Sequence, residues 1–420
     1  MLSPIFGDRY KGKFMKYFLL LLTAAALYGQ SLSSLIESAQ HNENILSLDQ
    51  KASAAALSHQ ATKNSYMPRV DAFANGSMVD RTGGFDAKRS SAAGVRAEMI
   101  VFDGFKRENS IRQSDAFKNA ASYDLLAGKK GLTLEVIQRY FELQNTLDEI
   151  ETNTLMRDQL SVQLNRLEKF QSVGLASEDS VMRMHSELSN AQYVLEDLQY
   201  QAHRQKGDLE VISNQKISNL DIALVSAPTL SKTEELDSLK ALRYERDAKR
   251  FEAEKTDAGF LPTIKIEDQY TYYDYYNDPI ASMRVDAQNK LTASLTMNLI
   301  DFSSASTAKQ ALEAQAQAKT SELAYASKEA KNNLHMAIRY MERSRILIDA
   351  SQSAFDASQK TFDAVKQKYE ARIVDYITYL DALHSLTNAT NQLTRAKRSL
   401  LYAYAAYYYY AGFDPKEFVQ

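Results

Sequence analysis

Four stretches of the chain alternate between apolar and polar positions. In 291–299, Leu291, Ala293, Leu295, Met297 and Leu299 are separated by Thr292, Ser294, Thr296 and Asn298. In 264–272, Ile264, Ile266, Tyr270 and Tyr272 share one parity, and Lys265, Glu267, Gln269 and Thr271 the other. In 94–101, Val95, Ala97, Met99 and Val101 alternate with Gly94, Arg96, Glu98 and Ile100. In 68–78 the pattern is weaker, with Val70, Ala72 and Ala74 set among Arg69, Asp71 and Phe73. Period two with one apolar and one polar face marks a strand between two environments. The pattern predicts two pairs of strands, at about 66–102 and 262–300. A polar loop joins each pair, Arg81–Arg89 in the first and Asp274–Arg284 in the second.

Between these pairs the helix breakers disappear. No proline lies between Pro68 and Pro228 or between Pro279 and Pro415, and no glycine lies between Gly259 and Gly412. Such stretches predict very long helices. The segment 302–371 is one of them, about 105 Å long at 1.5 Å per residue. A single core of that depth does not fit a chain of this size, so the helices must lie side by side in a bundle or tube. Tyr379, Leu386, Leu393, Leu400 and Tyr407 recur every seven residues, as do Ala382, Ala389, Ala396 and Ala403. Leu188, Ala191, Leu195 and Leu198 repeat the idea earlier. Seven-residue rows are the seam of coiled-coil packing, and an ordinary coiled coil has the same rows.

The plan occurs twice. Pro68 and Pro262, Asp103 and Asp301, Tyr140 and Tyr340, and Phe170 and Tyr369 pair in order at nearly the same separation, and Gln138-Arg139-Tyr140 matches Ile338-Arg339-Tyr340. The expected organisation is an upstream extension and export signal over 1–29, a first repeat over 30–227 and a second over 228–420. Each repeat has two strands, a long helix, a turn (about 171–179 and about 370–377) and another long helix.

Composition narrows the function. The 420 residues carry 50 basic and 53 acidic side chains, a balance with no strong preference for nucleic acid. Cysteine is absent, which removes disulfides, thiolate metal sites and cysteine nucleophiles. The start Met15-Lys16, the apolar run Tyr17–Tyr28 and the closing Gly29-Gln30 form a secretory signal, with residues 1–14 upstream of the true start. That run is too short to span a bilayer, and no other run is long enough, so a membrane location requires strands.

A half-buried soluble sheet alternates in the same way. Three features favour a membrane barrel: strands of about 9–11 residues, their polar loops, and tyrosines 270, 272, 273, 275 and 276 beside the second loop, which suit an interfacial girdle. Four strands cannot close a barrel, since the smallest have about eight. The edges must be shared with other copies. Two copies give eight strands and three give twelve, and the tube of helices argues for three.

At this point the residues resemble the TolC family of outer-membrane efflux and secretion channels, over essentially all of the mature length. Val101-Phe102-Asp103-Gly104 looks like the family's exit from strand to helix, echoed by Leu299-Ile300-Asp301-Phe302. Phe170 with Val173-Gly174-Leu175 looks like the first periplasmic tip turn, and Tyr369 with Leu380-Asp381-Ala382 the second. The resemblance implies a mainly α fold with a membrane β-barrel part: a homotrimer whose long helices form an α-barrel and whose strands, four per subunit, form a 12-stranded β-barrel. It also implies a place in the outer membrane with a long periplasmic extension, and two partners below, a periplasmic adaptor protein and an inner-membrane pump. It assigns adaptor contact to Val173, Gly174 and Leu175, and at the second turn to Arg372 and Ile373, where the family's frequent glycine is missing. It assigns a pore gate to Asp381, with Thr378 at the position of a second aspartate ring and Asp375 one helical turn away as its substitute. A carboxylate ring around a narrow pore attracts cations, while a solvated helix face explains Asp381 equally well.

Catalytic chemistry has no carrier in this sequence. The histidines (41, 59, 185, 203, 335 and 384) form no i, i+4 ligand pair, and no phosphate-binding glycine loop occurs. The tyrosines of 402–410 read as packing for the last helix. The expected protein is not an enzyme and needs no cofactor or metal. It is a passive duct, gated at its tip, in a tripartite efflux or type I secretion system. The alternative is a periplasmic coiled-coil structural or adaptor protein whose strands form a small soluble domain.

Overall fold

The computed structural model describes residues 30–80, 83, 85, 87–229, 233–276 and 278–420. The expected export signal and upstream extension lie outside the described residues. The helices are α1 (Leu32–Ala39), α2 (Glu43–Asn64), α3 (Lys106–Ser172), α4 (Glu178–Ser213), α5 (Asp237–Lys255), α6 (Ser304–Glu370) and α7 (Tyr376–Tyr410). The strands are β1 (Arg69–Met78), β2 (Arg89–Asp103), β3 (Thr263–Tyr276) and β4 (Ala287–Thr296). Helices α3 and α6 are both 67 residues long, and α4 and α7 are 36 and 35. None of the four holds a proline, and α3 and α4 run through Gly128, Gly131 and Gly207 because packing along their length outweighs the weak helix propensity of glycine.

The chain separates into two compact units that cut across the order of the sequence. One comprises the described residues up to Leu46, Leu126–Leu236 and Glu329–Gln420; the other comprises Ser47–Leu125 and Asp237–Lys328.

The first unit has two cores. In one, Leu35 and Ile36 of α1, Val136, Ile137, Tyr140 and Leu143 of α3, Leu209 of α4 and Tyr404, Tyr407 and Tyr408 of α7 are buried together. The tyrosines near the end of α7 are thus packing residues, with Tyr408 stacked on Phe418 at 3.5 Å. The Tyr140 hydroxyl donates to the carbonyl of Asp221, and burial raises its pKa. In the other core, Met156, Leu160, Leu164 and Leu167 of α3 meet Met184 and Ala191 of α4, Phe362 of α6 and Tyr379, Leu380, Ala382 and Leu383 of α7. The heptad leucines and alanines sit where the spacing predicts.

The second unit holds all four strands, antiparallel in the order β1-β2-β3-β4. Beside them, small residues let helices approach: Ala116 and Ala120 of α3 and Ala241, Ala248 and Ala253 of α5 are buried. Tyr123 and Tyr244 stack at 5.6 Å, and Lys319 pairs with Glu245 at 3.0 Å.

Strand bounds differ from the alternation on three strands. β3 runs on to Tyr276, so Asp274–Tyr276, expected in the loop, pair instead with Arg89–Ser91 of β2. β4 starts earlier than expected and stops at Thr296, because its partner β3 begins at Thr263, opposite Thr296, straight after Pro262. β2 reaches back to Arg89 through Ser90, Ser91, Ala92 and Ala93, which have too little polarity contrast to show a period. Gly94 is needed in that strand: a Cβ there would collide with the Tyr270 carbonyl and lie 2.9 Å from the Phe73 ring.

Candidate functional site

Two surfaces carry the residues singled out in the sequence, one in each unit.

The first is a pair of turns. Between α3 and α4, Gly174 N–H donates to the Gln171 carbonyl at 2.9 Å and Leu175 N–H to the Phe170 carbonyl at 2.8 Å. Between α6 and α7, Arg372 N–H donates to Tyr369 at 3.0 Å and Ile373 N–H to Lys368 at 2.8 Å. These are the same bonds in the same order, a helix end closed by a left-handed residue. Gly174 has φ +77°, and Arg372, with φ +61°, takes the same conformation without being glycine. The missing second glycine therefore does not change the form of the turn. Arg372 bears a cost of about 1–2 kcal/mol for a left-handed L-residue, and its guanidinium lies 4.9 Å from the Phe170 ring.

That contact belongs to a longer stack. Arg166 lies 5.4 Å from Phe170 and 5.5 Å from Tyr369, and Tyr369 stacks on Tyr379 at 4.9 Å. Tyr379 also meets Phe362 at 5.6 Å, donates to Gln159 Oε1 at 3.1 Å, and is 1% exposed. Burial raises the pKa of both Tyr369 and Tyr379. A cavity of about 310 Å³ between the turns is lined by Phe170, Leu175, Tyr369, Arg372 and Asp375. Val173, Leu175 and Ile373 stand exposed. The spacing of Arg166 and Phe170, one helical turn apart, is the sign of this stack in the sequence.

At the start of α7, Asp375 is the N-cap, accepting from Thr378 N–H at 2.9 Å and from its hydroxyl at 2.7 Å. Those two bonds, the backbone one first, lower its pKa. Thr378, Asp381 and Ser385 lie along an exposed face of α7, opposite buried Tyr379, Leu380, Ala382 and Leu383. His384, next to that face, is 3.4 Å from Glu187 of α4.

The second surface is the sheet, whose register sorts its residues into two faces. One carries Val70, Ala72, Ala74, Val95, Ala97, Met99, Ile266, Tyr270, Tyr272, Leu291, Ala293 and Leu295. The other carries Asp71, Arg96, Glu98, Lys265, Glu267, Gln269, Lys290 and Thr292. The apolar face is the exposed one: Leu291 is 73% and Leu295 66% exposed. The polar face is the more enclosed on every strand, down to Thr271 at 3%. A soluble sheet has these two environments the other way round.

Among the described residues, no helix is long and apolar enough to cross a membrane, and no group of three or more His, Cys, Asp or Glu side chains could hold a metal ion.

Residues 233–412 match the family described as outer membrane efflux protein. That stretch is 180 of the chain's 420 residues. This match, a TolC relative and structural neighbours that are outer-membrane efflux channels together bear out the resemblance. The family is one of outer-membrane efflux channels rather than of enzymes, which places the chain at the outer membrane. The outer membrane protein TolC of Vibrio cholerae is 21% identical over 280 residues, and the match spans 61% of this chain and 61% of that protein. The fold is that of VceC from Vibrio cholerae, with TM-score 0.79, 15% identity, and coverage of 91% of this chain and 96% of that one. It is also that of the CmeC outer membrane channel of Campylobacter jejuni, with TM-score 0.82, 14% identity, and coverage of 91% and 86%.

Proposed function

We propose that three copies of this chain form a passive exit duct, gated at its periplasmic tip, in a tripartite efflux or type I secretion system. Twelve strands, four from each copy, close a barrel in the outer membrane. The paired helices form a tube below it. The observation that carries this reading is the two-faced sheet, with its apolar side outward and its charged side enclosed. Strands β1 and β4 are its two edges, and each needs a partner from another copy. The matching lengths of α3 with α6 and α4 with α7 support two structural repeats, 30–227 and 228–420, behind a removed signal at 1–29.

In this reading the exposed turn residues Val173, Gly174, Leu175, Arg372 and Ile373 receive the periplasmic adaptor, which links the duct to an inner-membrane pump. Asp381 and Thr378 line the gate, and Asp375 fixes the helix start that carries them. The gate opens when adaptor contacts favour an untwisted arrangement of the tip helices. Energy comes from the pump.

The test is a pair of arginines on neighbouring positions of β4. Leu291→Arg puts a charge on the apolar face, at a cost of about 2–4 kcal/mol if that face meets lipid. Thr292→Arg puts the same charge on the polar face. The expected result is that Thr292→Arg assembles in the outer membrane as a detergent-extracted trimer and Leu291→Arg does not. Extraction of the unaltered chain as a soluble monomer without detergent favours the periplasmic coiled-coil reading instead.

A further inference from the structure

The polar face of the sheet breaks a rule of strand pairing. Glu98 of β2 and Glu267 of β3 are directly opposite each other in the register, and like charges so placed repel. Lys265, one step along the same face, resolves the conflict. Its ammonium lies 2.6 Å from Glu98 and 2.9 Å from Glu267. Arg69 of β1 flanks the pair from the other side, opposite Glu98, and is itself tied to Asp71 at 2.9 Å. Any of the common uncharged pairs would hold two strands together with less conflict, so the demands of folding alone do not explain two carboxylates and one lysine.

We infer that Lys265 is a built-in counterion that masks a carboxylate pair in the wall of the duct, and so sets the ion preference of its strand section. The inference rests on the duct reading above. On this stretch of the face each copy carries the carboxylates of Asp71, Glu98 and Glu267 and the cations Arg69, Arg96 and Lys265, and threefold closure repeats them around the lumen. With Lys265 in place, the carboxylates are largely spent on it and passing ions meet a nearly balanced wall. Without it, each copy is left with one carboxylate in excess, and a ring of such excess charge concentrates cations and excludes anions. Charge at the helical tip acts separately, so the strand section and the gate can differ in preference.

The experiment is the reversal potential of single channels in a planar bilayer under a potassium chloride gradient. Lys265→Gln is expected to move it toward the potassium equilibrium potential relative to the unaltered duct. The triple variant Lys265→Gln, Glu98→Gln, Glu267→Gln removes two carboxylates and one ammonium per copy, and is expected to carry it past the unaltered value toward the chloride equilibrium potential. Raising the salt is expected to shrink the shift, because screening shortens to about 3 Å at 1 M. Comparable trimer yields for both variants separate a selectivity effect from failed assembly, and the triple variant carries the test if the single one does not assemble. In that case, a triple variant more cation-selective than the unaltered duct sinks the inference. An unmoved reversal potential in a conducting Lys265→Gln channel overturns the inference and leaves the duct intact. A protein that forms no channel in any version overturns both.

Discussion

Tyr379 is the keystone of the turn-end core, and its removal gives a quantitative test. Its ring is almost wholly buried and meets Tyr369 and Phe362, while its hydroxyl reaches Gln159 of α3. Truncating a buried aromatic to alanine costs about 3–5 kcal/mol in lost burial and cavity. Tyr379→Phe removes only the hydroxyl and its bond to Gln159, at about 1 kcal/mol. The difference between the variants isolates the ring. Since about 1.4 kcal/mol is a tenfold change in an equilibrium, local opening in Tyr379→Ala should rise by about a hundredfold or more. Amide exchange reads this out in detergent. Faster exchange is expected for Met156–Leu167 and around Met184 and Ala191, which share this core. Val136–Leu143, in the other core of the same unit, should be unchanged. If Tyr379→Ala and Tyr379→Phe exchange alike in Met156–Leu167, the aromatic stack does not hold the helices together and the reasoning fails.

Three further outcomes follow from local geometry. The Asp375 carboxyl has a folded pKa below its unfolded value, so its cap is fully stabilising above about pH 4 and is lost as pH falls through the lower folded value; amides of the first turn of α7 should exchange faster on acidification, and Asp375→Asn should flatten that dependence. Gly94→Ala drives a methyl into the Tyr270 carbonyl and the Phe73 ring, costing at least the roughly 1–3 kcal/mol of overpacking; a lower yield of folded, heat-resistant protein is expected. Ser303 has φ +69° beside the carboxylate of Asp301, so Ser303→Gly should raise thermal stability by about 1 kcal/mol, and a lowered melting temperature contradicts that account.

The elements that could be read from the chain were those whose physics is local. Missing prolines announced α3, missing prolines and glycines announced α6, and the strict alternation of 291–299 and 264–272 announced β4 and β3. The start of β2 was hidden because serines and alanines have no contrast between faces. Helix α5 was hidden for a related reason: alanines 241, 248 and 253 mark its buried side, and alanine is unremarkable on either side of a helix. At the turns, the motif positions were legible, but the stack that joins them was not. Arg166, Phe170, Tyr369, Arg372 and Tyr379 come from both halves of the chain and meet only once the helices pair. The left-handed Arg372 is the plainest case, since nothing in its neighbours on the chain says that an arginine will take the place of a glycine.

The inverted sheet also constrains how the protein reaches its destination. A single copy in water shows Leu291, Leu295, Val70 and Ile266 to solvent, along with two unpaired strand edges. That combination invites aggregation. If the duct proposal holds, these strands must be kept covered in transit until they meet both lipid and sister copies.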